Sequence, residues 1–143
     1  MMVPLSFAGH RLFVAGDAAL WWPERRALLV ADLHLEKGSF YAATGQMLPP
    51  YDSRATMEAI DALVKRIRPE TIYCLGDNFH DDAGEERLSP CAAAILQRLT
   101  GALDWIWIRG NHDREVSGRW GKSKHLSALD FPPRGAHVIL IPL

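Results

Sequence analysis

Three short, continuously apolar stretches constrain this chain more than anything else in it: Ala27-Leu28-Leu29-Val30-Ala31, Thr71–Leu75 and Trp105–Ile108. Runs that are apolar on both faces suit strands covered by other layers on each side, as in a parallel sheet. Helical signals fill the gaps between them. Met57, Ile60, Leu63, Val64 and Ile67 recur at helical spacing after Asp52 or Ser53 as cap, with Pro69 just beyond. A second helix is predicted from Ser89 as cap and Pro90 in the first turn, through Ile95, Leu96 and Leu99, to a stop at Gly101. Arg11–Ala15 and Ala18–Trp21, separated by Gly16-Asp17, read as a hairpin, and His137–Leu143 as a last strand. Strand, helix, strand, helix, strand defines an α/β fold. Arg114–Gly135 has no clear period and predicts no element.

With 143 residues, 48% of them hydrophobic, the chain suits a single domain over residues 1–143. Lys plus Arg number 16 and Asp plus Glu 17, a net charge of −1, so no broad basic field is available to hold nucleic acid or an anionic membrane. Function must sit in a few residues. Cys74 and Cys91 both lie in apolar runs and are expected to be reduced, buried thiols. No signal-peptide pattern and no 18-residue apolar run is present, which predicts a cytoplasmic protein without membrane association.

Each apolar run ends in a turn loaded with metal-binding residue types: Asp32-Leu33-His34, then Gly76-Asp77-Asn78-Phe79-His80-Asp81, then Gly110-Asn111-His112-Asp113. Open α/β sheets bind ligands beyond the carboxyl ends of their strands, so turns 45 and 34 residues apart can converge. In extended backbone an Asp-x-His pair points both side chains the same way, letting Asp32 and His34 grip one ion. Asp77, on a glycine turn, can bridge two ions with its two oxygens. Asn111 offers an amide oxygen to the second, and His112 is left to face a substrate. Two cations in such a cluster would generate a hydroxide near neutral pH and clamp both the attacking and leaving oxygens at phosphorus. The mixed donor set favours Mn, with Fe or Zn as the alternatives.

DLH, GDNFHD and GNHD together resemble the calcineurin-like metallophosphoesterases. The wider stretches LWWPERRALLVADLHLEKG, GQMLPPYDSRATM, LGDNFHDD and DWIWIRGNHD are similar to one bacterial branch, the DNA ligase-associated metallophosphoesterases, over about residues 8–115. The resemblance implies a four-layer α/β/β/α sandwich and hydrolysis of phosphodiesters or phosphomonoesters in DNA repair. Implied substrates are DNA ends or nucleotides, and implied partners a DNA ligase, a helicase and an exonuclease-like protein. By position, Asp32 and His34 match first-metal ligands, Asp77 the bridging ligand and Asn111 a second-metal ligand. His112 matches the histidine that stabilises the transition state or protonates the leaving oxygen. His80 stands where the superfamily often has an Asp that orients that histidine; Asp81 or Asp113 are the alternatives. The family pattern continues with a further His and a Gly-His-x-His turn, and no such turn occurs here. The expectation is a fold whose C-terminal part is missing or altered, with residues 114–143 a divergent tail. His125 and His137 read as surface or core residues before metal ligands.

Weaker features read as structure. Trp21-Trp22-Pro23 looks like a turn whose indoles cover the core, Trp105 and Trp107 like strand packing, and His10 is incidental. Glu36 and Lys37 suit solvated loop charges before the lining of a site mouth, and Arg114, Arg119, Lys122 and Lys124 suit equally a solvated loop or a patch that attracts a phosphate backbone. The predicted function is metal-dependent phosphoesterase chemistry. The alternatives are a catalytically impaired, protein-binding remnant and a small-molecule nucleotidase or phosphatase.

Overall fold

The computed structural model describes residues 2–16, 19–31, 53–75, 88–108, 124–126, 129–131 and 138–140, the last three segments as backbone only. Seven strands form one sheet in chain order: β1 (Val3–Phe7), β2 (His10–Ala15), β3 (Ala19–Trp22), β4 (Ala27–Ala31), β5 (Thr71–Leu75), β6 (Asp104–Ile108) and β7 (Lys124–Leu126). β1 to β4 are antiparallel neighbours, and β4 to β7 are parallel. Local connections explain the difference. Ala8 and Gly9, both at positive φ (50° and 80°), join Phe7 to its partner His10 in a two-residue turn of the kind that closes hairpins. Parallel strands need longer crossovers. The helices α1 (Ser53–Ile67) and α2 (Pro90–Ala102) lie in the β4–β5 and β5–β6 connections. β8 (Leu129–Phe131) and β9 (Val138–Leu140) pair antiparallel as a separate two-stranded sheet.

The continuous apolar runs are buried on both faces, as their composition requires. Alternate residues Leu28, Val30, Ile72, Cys74, Trp105 and Trp107 pack with Met57 and Ile60 of α1 and Ala92, Leu96 and Leu99 of α2. The intervening residues Ala27, Leu29 and Ile108 turn the other way, joining Leu12 and Trp22 with half-buried Tyr73, Leu75 and Ile106. The two indoles of β6 sit 5.5 Å apart between their ring centroids, beneath the helices. They are strand packing, as the alternation predicts.

The helix boundaries follow their caps. The Ser89 hydroxyl accepts from the Ala92 N–H at 3.2 Å, with Pro90 at the first helical position. α1 ends with Arg68 in the left-handed region (φ 55°), its N–H donating to the Val64 carbonyl at 2.8 Å, and Pro69 prevents continuation. Lys65 and Arg66 occupy its last turn, where the helix dipole favours cations.

Several expectations need correction. α2 runs through Gly101 to Ala102 rather than stopping at the glycine, because the cap forms at Leu103, whose N–H donates to the Leu99 carbonyl. Trp21 and Trp22 lie in β3, not in a turn. The turn is the 3-10 segment Pro23–Arg25 that follows. Cys74 is buried but Cys91 is exposed on the first turn of α2, and both are free thiols. The stretch after Asp113 contains β7 and β8, each only three residues long and too short to show a period. His125 lies in β7 in register with Trp107, while His137 lies outside the described residues. Among the described residues no helix is long and apolar enough to cross a membrane.

Candidate metal centre

What positions the ligand motifs is the register of the parallel strands. Ala31 of β4 pairs with Leu75 of β5, and Leu75 pairs with Ile108 of β6, so the carboxyl ends of three neighbouring strands stop level with one another. Adjacent strands lie about 4.8 Å apart, which brings these three ends within about 10 Å. The register is held from both faces. Val30, Cys74 and Trp107 are locked into the helix-side core one residue earlier, and slipping any strand by one residue would invert its faces.

Directly beyond these ends stand the residues with metal-binding chemistry. Asp32 is bonded to Ala31, only Gly76 separates Asp77 from Leu75, and Arg109 and Gly110 separate Asn111 from Ile108. Asp32, His34, Asp77, His80, Asn111 and His112 all lie outside the described residues, so the structure supplies the platform from which they extend. Asp81 and Asp113 do so too. Within the described residues no group of three or more His, Cys, Asp or Glu side chains could hold a metal. The donor set predicted for the metals, the carboxylates of Asp32 and Asp77, the His34 imidazole and the Asn111 amide oxygen, fits borderline-hard divalent cations.

At the opposite, amino-end edge of the same sheet lies a polar cluster that sequence inspection passes over. His10 is buried, and its Nδ1–H donates to Glu24 Oε2 at 2.7 Å, while its ring packs edge-on to Trp22 at 5.1 Å. Arg25 lies over the Trp22 ring, 5.5 Å from the centroid. The signal was the hairpin itself. Once Leu20 is opposite Val14, the start of β2 and the residues after β3 must meet.

One polar contact between the two helices is the ion-pair cluster of Asp61. Its Oδ2 accepts from Lys65 at 3.0 Å and from Arg98 of α2 at 2.9 Å. Burial pushes the Asp61 carboxyl up, but the hydrogen bonds from Lys65 and Arg98 and their charges outweigh it and hold the group below its usual range. This is a structural pair, with no motif residue beside it in sequence.

Comparisons with known proteins agree with the strand-end motifs. The model of the family described as calcineurin-like phosphoesterase matches residues 25–139. Among solved structures, the Pseudomonas putida nuclease MPE is similar, with 27% sequence identity and a TM-score of 0.67. The alignment covers 88% of this chain and 59% of the nuclease, so the chain spans less than two thirds of that relative. No curated protein matches the chain. A family match running from before β4 into β9, over a mixed α/β fold, identifies the chain as a member of the calcineurin-like phosphoesterase family.

Proposed function

We propose that this protein is a metal-dependent phosphoesterase that cleaves phosphodiester bonds in nucleic acid. The observation that carries the reading is the level termination of β4, β5 and β6, each followed within three residues by a ligand-type side chain. Asp32 and His34 would hold one ion, Asp77 would be shared, and Asn111 would serve the second, with Mn as the metal. Bound divalent cations supply the charge that activates a water and neutralises phosphate oxygens. His112 delivers a proton to the leaving oxygen, and His80 orients it. The nuclease likeness supports a nucleic-acid substrate over a small phosphomonoester. Association with a DNA ligase, helicase and exonuclease belongs to the same proposal, as does a cytoplasmic location.

Hydrolysis of bis-p-nitrophenyl phosphate with Mn tests it. Wild-type protein turns over the ester, while Asp77→Asn and His112→Ala lose that activity. Retention of the wild-type rate by both variants overturns the assignment.

A further inference from the structure

The amino-end edge of the sheet carries a second cluster of functional chemistry, remote from the strand ends. Arg11, Phe13, Pro23 and Glu24, with the backbone of Gly9, line an open cavity of about 370 Å³. That is within the range of sites that take small organic groups. Arg11 is exposed and has no ion-pair partner among the described residues. The cavity's one acid, Glu24, accepts a hydrogen bond from buried His10. Phe13 is half-buried, so it can offer an aromatic surface at small entropic cost.

An aromatic surface, a proline ring and a guanidinium donor match the parts of one nucleotide, a flat base and a phosphodiester. We propose that this cavity binds one nucleotide of a single-stranded nucleic acid, stacking the base on Phe13 and holding phosphate with Arg11. The five residues of β4 separate this edge from the strand ends, about 16 Å at 3.3 Å per residue. A strand held in the cavity therefore reaches the carboxyl edge only if it is longer than that. This length dependence rests on the function proposed above; binding in the cavity does not.

Fluorescence anisotropy with a labelled, phosphorothioate-linked single strand of about twelve nucleotides measures the binding without cleavage. Phe13→Ala is expected to weaken it roughly tenfold. Arg11→Ala, at an exposed position that leaves the fold intact by circular dichroism, weakens it several-fold and lowers the salt dependence by about 0.7 in log–log slope. AMP competes for the site and inorganic phosphate does not. The proposal falls if both variants bind within twofold of wild type, if inorganic phosphate displaces the strand as readily as AMP, or if phosphatidylserine vesicles bind through Arg11 and the strand does not. Asp77→Asn separates the two readings. Loss of strand binding in that variant alone places the strand at the metal centre and overturns the cavity. Binding that depends on Phe13 and Arg11 in a protein without hydrolytic activity supports the cavity and overturns the phosphoesterase reading.

Discussion

Asp61 of α1 and Arg98 of α2 meet at 2.9 Å across the seam between the two helices, an ion pair at the edge of an otherwise apolar contact. Its partners are about half exposed or more, Arg98 at 53% and Lys65 at 70%, which keeps the worth of the cluster near 1 kcal/mol. Because the folded-state pKa of Asp61 is lowered, its stabilisation is fully present above the unfolded value near 3.8 and is lost as pH falls through the folded value. Asp61→Asn should therefore cost about 1 kcal/mol at pH 7 in urea unfolding, with the difference from wild type shrinking in acid below about pH 4. An equal difference at both pH values would refute the ion-pair account.

Trp105 is fully buried between β6 and the helices. Trp105→Ala removes the largest type of side chain from a site that cannot collapse around it, and should cost about 3–5 kcal/mol. Chemical denaturation reads this directly; a cost under about 1 kcal/mol would mean that the helix–sheet packing is not as described.

Gly16 closes β2 at φ 61°, and a Cβ there would stand 3.4 Å from Leu63 Cδ1 of α1. Gly16→Ala forces a residue with a Cβ into left-handed backbone, and should lower stability by about 1–2 kcal/mol. A thermal melt that rises or stays unchanged contradicts the positive φ.

The two thiols should differ in reactivity. Cys91 is exposed and Cys74 buried, so Ellman's reagent should titrate one thiol rapidly in the native protein and both in denaturant. Two fast thiols in the native state would place Cys74 at the surface.

Chelation provides a test of the proposed centre that needs no variant. Dialysis against EDTA should abolish ester hydrolysis and Mn should restore it, while Asp77→Asn should not recover, remaining down by about a hundredfold or more. Activity that persists in EDTA removes the metal from the proposal.

The parts of this fold that were legible in the sequence are those where one physical requirement dominates. Leu28 to Val30 and Trp105 to Ile108 announce strands because only a strand covered on both faces buries every residue of such a run. Ser89-Pro90 announces a helix because a hydroxyl cap and a fixed φ serve only a first turn. β1 was missed because Val3, Leu5 and Phe7, all exposed at the sheet's edge, are interrupted by Pro4, which cannot donate to a ladder. β7 was missed because three residues fix no period. His10 carries no signal in the sequence because its partner Glu24 is 14 residues away and meets it only through the hairpin register. The metal motifs were legible as chemistry, and the level strand ends account for how such distant segments share one edge. Their own arrangement lies outside the described residues.

The common stopping point of Ala31, Leu75 and Ile108 also limits how this chain can change its length. Segments between the strands can gain or lose residues without altering where the next strand ends. An insertion of one residue inside β5 cannot be absorbed in that way. It would turn Ile72 or Cys74 out of the helix-side core, or carry Leu75 out of line with Ala31 and Ile108. Tolerance of insertions and deletions should therefore fall to nearly nothing across these three five-residue strands and recover in the connections between them.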